Sequence, residues 1–449
     1  MPRNTALDLL NRLDKEKYTT LDRLIENNVN KKKFLSKQNR ALFNIIIYGV
    51  LRQKKRIDYI INHFLKQPFN KIDNQTLNIL RIGVFQLKFL DKIPDSAAVN
   101  TSVELAKKYK NQWSANFVNA VLRNVLRNSN VPKLPDKKEN ILKYISITES
   151  FPEWLIKKRI KSIGAEKTKL LCEALNKTPS ITVRVNSLKI GRDNLIKKLT
   201  PFVNNISACK ISSDGINFIK PSTRIDKLPG YKEGFFQVQD EAAQLAARLL
   251  APKQEEKVLD AFAGLGGKTG HIAALMNNQG KIIAADYDQK KLALLDMAAQ
   301  RLGITNIITR EIDFLKKQTI EEKKKFDKIL IDAPCSGLGV IRRNPDTKWS
   351  VSQTDLQKNG LRQIKLLENL SGYLKKNGTM LYTVCSAEPE ENEEVITTFL
   401  SKHPEFVLKE PCADKKLLFK IGYSNKLYKT FTHIHNTDCF FYACLRREK

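Results

Sequence analysis

Residues 258–269, Val-Leu-Asp-Ala-Phe-Ala-Gly-Leu-Gly-Gly-Lys-Thr, decide the fold that we expect for the second half of this chain. The apolar start predicts a buried strand, and the glycines before Lys268 and Thr269 predict a turn into a helix. From Lys257 onward, predicted strands and helices keep alternating. The predicted strands are 258–262, 281–286, 307–310, 326–332, 380–384 and 438–446. This alternation predicts a Rossmann-like, doubly wound parallel sheet.

The glycine-rich turn is compatible with three kinds of ligand. A dinucleotide fingerprint needs glycine where Thr269 stands, and a phosphate loop needs glycine where Phe262 stands. S-adenosylmethionine needs close backbone approach and a carboxylate for its ribose hydroxyls, which Asp286 supplies at the expected spacing. Asp313 would reach the adenine amino group, although Asp286 could instead cap a helix and Asp313 could be a solvated loop residue. We expect S-adenosylmethionine, held by Phe262, Ala263, Gly264, Leu265, Gly266, Gly267, Lys268, Asp286, Asp313 and Asp332.

Two cysteines follow predicted strands of this sheet. Cys335 ends Asp-Ala-Pro-Cys after 326–332, and Cys385 follows 380–384. In a doubly wound sheet the fourth strand lies beside the first and the fifth lies beyond it, about 4.8 Å from its neighbour. We therefore expect neighbouring thiols at the cofactor edge. A thiolate that adds to carbon 6 of cytosine makes carbon 5 able to accept a methyl group; residue types alone do not rank the two thiols.

Two charged residues complete the expected catalytic set. Asp332 is placed to bind the N3 and amino edge of a pyrimidine, and Lys268 could orient Asp332 or favour a thiolate. Acids and Asn392 after Pro389 are explained equally well by the start of a helix. The remaining cysteines have no comparable context and are expected to be packing residues: Cys172, Cys209, Cys412, Cys439 and Cys444.

The first part of the chain has a different pattern. Helical periodicity runs from Ala6 to about Asn128, a polar stretch at 128–140 predicts a linker, and residues 180–186 predict a strand in a mixed segment. We expect a multidomain α and α/β protein of three domains. They are an all-helical domain at 1–135, a small α+β domain at 146–234 and the sheet domain at 235–449.

The charge balance favours a polyanionic partner. The formal net charge is +31 and the pI is about 9.7, although a lysine-rich composition alone would give the same balance. Candidate RNA contacts, with solvated surface as the alternative, are Arg184, Arg342, Arg343 and Lys348. Seven cysteines without a C-x-x-C pair indicate reduced thiols and no metal. No apolar run approaches the roughly 18 residues of a membrane span, and no signal-peptide pattern begins the chain, so we expect a cytoplasmic protein that does not enter the membrane. The sequence leaves the oligomeric state open, with a monomer as the favoured state.

With these residues the chain resembles the Sun/RsmB family of ribosomal RNA cytosine-5 methyltransferases over nearly its whole length. Its helical domain is similar to the antitermination factor NusB. The residues that carry the resemblance are Asn39-Arg40, Tyr48 to Arg52, Phe117 to Asn124, Arg184-Val185-Asn186, Val238-Gln239-Asp240, the glycine turn, Asp332 to Gly337, Arg342 to Trp349 and Pro389 to Asn392.

The resemblance implies that Cys385 is the nucleophile, that Cys335 assists release and that the substrate is a cytosine of small-subunit ribosomal RNA. Two positions depart from the family pattern: Val384 stands where threonine is usual, and Leu265 replaces a common proline. Two rival hypotheses remain. One is a P-loop NTPase that uses Gly267-Lys268-Thr269 and Asp332, and the other is a noncatalytic RNA-binding assembly factor. The sequence identifies neither the modified nucleotide nor whether free RNA or a ribosomal particle is the substrate.

Overall fold

The structure, a computed structural model, describes residues 2–16, 19–28, 36–128, 130–316 and 325–448. By its internal contacts the chain divides into two units. The first unit holds Met1–Lys177 together with Ile341–Gln353, and the second holds Thr178–Val340 and Thr354–Lys449. The chain therefore leaves the second unit after Val340 and returns to it at Thr354. Among the described residues, no helix is both long and apolar enough to cross a bilayer.

The first unit is helical, and side-chain caps set the start of several of its helices. Ser36, Asp73 and Asn111 each accept a hydrogen bond from the backbone N–H three residues later, which satisfies an amide that the helix itself leaves unpaired. Phe43 and Leu80 lie in the core that these helices share. The helices are α1 Pro2–Lys15, α2 Leu21–Asn28, α3 Lys37–His63, α4 Asn74–Phe89, α5 Asp95–Tyr109, α6 Gln112–Arg127, α7 Ile141–Thr148, α8 Glu153–Ile163 and α9 Ala165–Asn176.

The second unit begins with a small antiparallel sheet. Its strand order is β2-β3-β1-β4, and its core contains Val183, Phe218 and Phe236. The strand predicted at 180–186 is confirmed as β1, one of the two inner strands. The elements are β1 Ile181–Val185, α10 Arg192–Leu199, β2 Asn204–Ala208, β3 Gly215–Ile219 and β4 Phe236–Val238.

The large sheet follows, with helices between its strands as the alternation predicts. Besides the α-helices and strands, short 3-10 helices occur in both units of the chain, at Phe69–Lys71, Thr200–Phe202, Ile225–Lys227 and Pro389–Glu391. The elements are α11 Glu241–Leu250, β5 Lys257–Asp260, α12 Gly267–Leu275, β6 Lys281–Asp286, α13 Gln289–Leu302, β7 Ile307–Glu311, β8 Phe326–Asp332, α14 Thr347–Ser350 of the first unit, α15 Gln353–Ser371, β9 Leu374–Val384, α16 Glu393–Lys402, β10 Phe406–Leu408, α17 Lys415–Ile421, β11 Gly422–Ser424, β12 Leu427–Thr430, α18 Thr432–His435 and β13 Phe440–Arg447.

The strand order of the large sheet confirms the doubly wound topology. The order is β11-β12-β13-β9-β8-β5-β6-β7, and β10 pairs with the far side of β13. Strands β7, β6, β5, β8 and β9 are parallel neighbours, whereas β13 runs antiparallel to β9. The fourth strand β8 therefore lies beside the first strand β5, and Asp332 is in register with Thr383. Both cysteine-bearing turns leave the sheet at this same edge.

One strand begins earlier than the sequence predicts. The residues Lys375-Lys-Asn-Gly378 have the composition of a turn, yet β9 starts at Leu374. Asn377 accommodates this path with a left-handed backbone, φ +65°, and the pairing with β8 shifts register beside Phe326. The strand is therefore longer than its apolar part, Met380 to Val384.

Candidate active site

The glycine-rich turn leaves β5 and enters α12 with two residues in the left-handed region. Gly264 has φ +54° and Gly266 has φ +79°. A Cβ atom at Gly266 would lie 2.6 Å from the Leu295 side chain, so only glycine fits there without repacking. A Cβ at Gly264 would meet nothing within 4 Å. The backbone of Gly264 is therefore open to a ligand.

Asp286 lies at the end of β6 and is bonded to this turn. One carboxylate oxygen accepts the Gly264 N–H at 3.0 Å, and the other accepts the Asp288 N–H at 3.0 Å. Asp288, not Asp286, caps helix α13 through the Lys290 N–H. The carboxylate of Asp286 is thus held at the turn by backbone donors, and helix capping does not explain it.

The neighbouring side chains extend this pocket. Phe262 and Phe314 form an edge-to-face aromatic pair with ring centroids 6.2 Å apart. Asp313 accepts the Leu315 N–H at 3.0 Å, and its side chain is partly exposed. Leu265 is 55% exposed at the tip of the turn. An open glycine backbone, a fixed carboxylate and an aromatic wall fit a nucleoside that carries free ribose hydroxyls.

Buried charges lie beneath the turn. The Lys268 Nζ atom contacts the Asp332 carboxylate at 2.5 Å. Burial alone would lower the pKa of Lys268, but Asp332, Cys385 and Asp260 raise it, so the net pKa lies above its ordinary value. Burial raises the pKa of Asp260 to about 6, although that carboxylate accepts the Thr269 hydroxyl at 2.7 Å. Lys268 is therefore a permanent cation beside Asp332 and near the Cys385 thiol.

The structure brings together the two cysteines whose strands are predicted to be neighbours. The sulfur atoms of Cys335 and Cys385 lie 3.3 Å apart. The hydrogen bond with Cys385, burial and the charges of Cys385 and Glu391 raise the pKa of Cys335 well above its usual range. Cys335 is therefore a neutral thiol in hydrogen-bonding contact with Cys385, a contact in which either sulfur can be the donor.

Glycine also shapes the turn that follows Cys335. The Gly339 N–H donates to the Cys385 carbonyl at 2.9 Å. A Cβ atom at Gly339 would lie 2.7 Å from that carbonyl oxygen and 2.2 Å from the Cys439 carbonyl oxygen. The two cysteine-bearing turns can approach each other only because this position has no side chain.

Arg184, a candidate RNA contact, serves an internal role instead. Its side chain is 1% exposed and donates to the Gln239 side-chain oxygen at 2.5 Å and to the Gly267 carbonyl. Burial lowers its pKa to about 10. The guanidinium thus links the small sheet to the first residue of α12, and it is not accessible to an RNA phosphate.

Lys348 and Arg342 are also buried, which argues against direct RNA contact for both. The Lys348 ammonium donates to the carbonyl oxygens of Arg52 and Ser150, each at 2.8 Å, and to the Asn176 side chain at 3.0 Å. Arg342 is 4% exposed. These residues hold the 341–353 segment within the helical unit. Arg343 is partly exposed, and RNA contact there stays a prediction.

Sequence reasoning missed Glu391 as a site residue. This acid lies in the 3-10 turn Pro389–Glu391, before the first residue of α16, so a helix start does not account for its role. Its buried carboxylate accepts the backbone N–H and the hydroxyl of Ser336, the residue after Cys335. The only sequence signal was its place in the Pro389 to Asn392 motif.

The two departures from the family pattern fall in different surroundings. Val384 is fully buried in the sheet core and pairs with Phe441, so the strand end before Cys385 is held by packing. The side chain of Leu265 is exposed. Among the described residues, no contact requires a proline at this position.

Comparisons with known proteins agree along the whole chain. The family model "16S rRNA methyltransferase RsmB/F" matches residues 247–446, the NusB family model matches 1–127, and a ferredoxin-like domain model of RsmF/B-like methyltransferases matches 151–224. The "probable ribosomal RNA small subunit methyltransferase B" of Bacillus subtilis is 34% identical, with 99% of this chain and 98% of that protein covered.

Solved structures give the same result for the fold. The crystal structure of PH0851 is 26% identical with a TM-score of 0.82, covering 100% of this chain and 99% of that one. A "methyltransferase homolog protein" from Pyrococcus horikoshii is 28% identical with a TM-score of 0.58, covering 68% of this chain and 98% of that one.

Proposed function

The chain belongs to the 16S rRNA methyltransferase RsmB/F family, and we propose that it uses S-adenosylmethionine to methylate carbon 5 of a cytosine in small-subunit ribosomal RNA. The observation that carries this proposal is the pair of sulfurs 3.3 Å apart beside Lys268 and Asp332. A methyltransferase that modified a nucleophilic nitrogen or oxygen would have no use for two adjacent thiols.

Cys385 is the proposed nucleophile. Its thiolate electron pair forms a bond to carbon 6, and the electrons of the carbon 5–carbon 6 double bond move onto carbon 5, where they are delocalised through carbon 4 toward N3. Asp332 binds the N3 and amino edge of the base, and Lys268 holds that carboxylate in place at 2.5 Å. Carbon 5 is then electron-rich enough to bond the methyl group, and the bond between that methyl group and the cofactor's sulfur would break in the same step, with its electron pair going to the sulfur.

Cys335 is the proposed group that assists release. After methylation, the Cys335 thiolate takes the carbon 5 proton, the electrons of that carbon–hydrogen bond restore the double bond, and the carbon 6–sulfur bond breaks to release Cys385 as a thiolate. The contact with Cys385 is the leading cause of the raised pKa of Cys335. Once Cys385 is bonded to carbon 6, it no longer carries charge beside Cys335, so the pKa of Cys335 falls and its thiol loses its proton to solvent more readily, leaving a basic thiolate.

The glycine turn would hold the cofactor. S-adenosylmethionine, when bound, supplies a methyl group on a positively charged sulfur. Asp286 would bind its ribose hydroxyls, Gly264 would allow the close approach, and Asp313 would reach the adenine amino group. The rival hypothesis of a P-loop NTPase has little support, because Lys268 is bonded to Asp332 and Phe262 stands where that loop needs glycine.

Covalent trapping tests this function. In RNA that contains 5-fluorocytosine, the fluorine at carbon 5 cannot leave as a proton, so a methylated adduct persists. We expect a denaturant-resistant protein–RNA complex that forms only with S-adenosylmethionine, with Cys385 as the modified residue in peptide mapping. Methylation of ordinary small-subunit RNA without any trapped complex would contradict the proposed chemistry, and transfer of no methyl group would favour the noncatalytic assembly factor.

A further inference from the structure

We propose that Glu391 is a positioning residue that fixes Cys335 for the release step, an inference that rests on the function proposed above. The role would be specific to the reaction, because Cys335 is needed only after Cys385 has bonded to the base. Glu391 itself would touch neither RNA nor cofactor.

The carboxylate of Glu391 grips the turn that carries Cys335. One oxygen accepts the Ser336 N–H at 2.7 Å, and the other accepts the Ser336 hydroxyl at 2.6 Å. The Asn359 side chain donates to the same carboxylate at 3.0 Å. Glu391 is fully buried, and an ionised carboxylate is tolerated in such a place only when donors of this kind surround it.

Helix α15 holds the other side of the same turn. The Gln363 side chain donates to the Pro334 carbonyl at 2.9 Å. Asn359 and Gln363 are four residues apart, so they lie on one face of α15. Pro334 and Ser336, the residues before and after Cys335, are therefore each tied down, and the thiol between them has a defined position.

Glu391 also ties this turn to the strand that carries the nucleophile. The Tyr382 hydroxyl, from β9, donates to the Glu391 carbonyl at 2.7 Å. At Gly360 of α15, a Cβ atom would lie 2.4 Å from the Glu390 carbonyl oxygen, so helix and turn are in close backbone contact. One residue thus links β9, α15 and the Cys335 turn, the three elements that fix the 3.3 Å sulfur separation.

The test measures the lifetime of the covalent adduct in the full-length protein. Purified Glu391→Ala, Ser336→Ala and Cys335→Ala variants are mixed with unmethylated small-subunit RNA and S-adenosylmethionine. We expect Glu391→Ala to accumulate adduct as Cys335→Ala does, with turnover reduced about 100-fold, the scale of a misplacement of roughly 1 Å. Ser336→Ala removes one of the two Ser336 bonds and should give the same effect at a smaller size.

Glu394→Ala is the matched control, since this acid lies three residues further on and is exposed. It should release RNA at the native rate. Glu391→Gln keeps the side-chain shape and one acceptor oxygen, so it should fall between native protein and Glu391→Ala.

Melting temperatures separate positioning from misfolding. A folded Glu391→Ala variant that releases RNA like native protein, or that loses turnover without accumulating adduct, would overturn the role of Glu391. If Glu391→Ala does not fold, the same measurements on Ser336→Ala decide the question, and the same outcomes would overturn the role of Glu391. Absence of adduct even in Cys335→Ala would contradict the proposed function itself, whereas adduct in Cys335→Ala alone would remove only this inference.

Discussion

Cys335 and Cys385 are chemically identical side chains for which we propose different roles. Each follows a parallel strand, and the sulfurs meet at 3.3 Å because β8 and β9 are adjacent. The hydrogen bond with Cys385 and burial raise the pKa of Cys335 well above its usual range. The strand order could be predicted from the sequence, whereas the raised pKa of Cys335 depends on its contact with Cys385 and on burial, which local sequence does not show.

Single substitutions of the two thiols should separate addition from release. Cys335→Ala should accumulate a covalent RNA adduct, because addition and methylation proceed but the carbon 5 proton is not removed. Cys385→Ala should form no adduct, because it lacks the attacking sulfur. Denaturing gel electrophoresis with labelled RNA measures both, and Cys444→Ala, a buried cysteine on β13, is a control for loss of a thiol. Adducts in the reverse pattern would exchange the two roles.

The residues whose roles the sequence predicts wrongly share one property. Each is a charged side chain that lies in the protein interior. Arg184 and Lys348 look like surface cations in the sequence, yet they donate hydrogen bonds to carbonyl and amide oxygens of distant segments. Glu391 looks like the acid of a first helical turn, yet it accepts from Ser336, 55 residues earlier. Local sequence does not show such partners. The expected positions of Asp286 and Asp332 depend on strand ends, which the periodicity does show.

At the level of elements, the glycine turn between β5 and α12 lets backbone strain be tested separately from access of the cofactor to the turn. Gly264→Ala puts a side chain in the left-handed region at a cost of about 1–2 kcal/mol, but meets no neighbour. We expect this variant to fold and to bind S-adenosylmethionine roughly tenfold more weakly, because the new methyl group occupies the open space over the turn.

Gly266→Ala should behave differently, because its Cβ would also clash with Leu295 at 2.6 Å. It should lose more stability than Gly264→Ala. Chemical unfolding measures the stability of both variants, and calorimetric titration measures their affinity for the cofactor. Native affinity in Gly264→Ala would mean that the cofactor does not lie over this turn.

The attachment of α12 to the small sheet should depend on pH. His271 on α12 forms a hydrogen bond 2.9 Å long with Asp214, the residue directly before β3 of the small sheet. Burial lowers the pKa of His271 to about 4. Unfolded histidine titrates near 6.5, so between about pH 6.5 and pH 4 the unfolded chain takes up a proton that the folded protein does not. The stability contributed by the neutral, buried ring is complete above about pH 7 and is lost as the pH falls through this window.

His271→Gln, which cannot be protonated, should be less stable than native protein at pH 8. At pH 5 the difference in free energy of unfolding between the variant and native protein should be smaller by ~2 kcal/mol, because only native protein loses stability through protonation of His271 in the unfolded chain. Urea unfolding at the two pH values measures this change. His63→Gln, at the exposed end of α3, is the control for replacing a histidine by glutamine. A disadvantage that is equal at both pH values would mean that His271 is already charged in the folded state.

At the level of the whole molecule, the helical unit includes a segment that follows the Cys335 turn in the chain. Residues 341–353 belong to it by their contacts: Asp346 accepts the Leu21 N–H at 3.0 Å, and the Trp349 indole donates to the Leu51 carbonyl at 2.7 Å. The sequence predicts consecutive domains, because periodicity and linker composition report only neighbours along the chain. The 13 residues 341–353 are held in the helical unit by buried polar contacts, and neither periodicity nor linker composition predicts such contacts.

A fragment of residues 178–449 should therefore contain an unprotected stretch. In the full chain Lys348 is fully buried, so trypsin should cleave after it slowly. In the fragment the partners Arg52, Ser150 and Asn176 are absent, and we expect cleavage between 342 and 348 to be at least about tenfold faster. Cleavage after Lys253, an exposed lysine in a loop, is the internal control. Equal protection in both proteins would show that the segment is ordered without the helical unit.

The central claim is that a methyl group reaches carbon 5 of a cytosine through a cysteine adduct. The most direct measurement is transfer of isotopically labelled methyl from S-adenosylmethionine to unmethylated small-subunit ribosomal RNA, followed by nucleoside mass spectrometry of the product. We expect the label in 5-methylcytidine with native protein and none with Cys385→Ala. Label on a nitrogen, on a ribose oxygen or on another base, or undiminished 5-methylcytidine with Cys385→Ala, would contradict the claim.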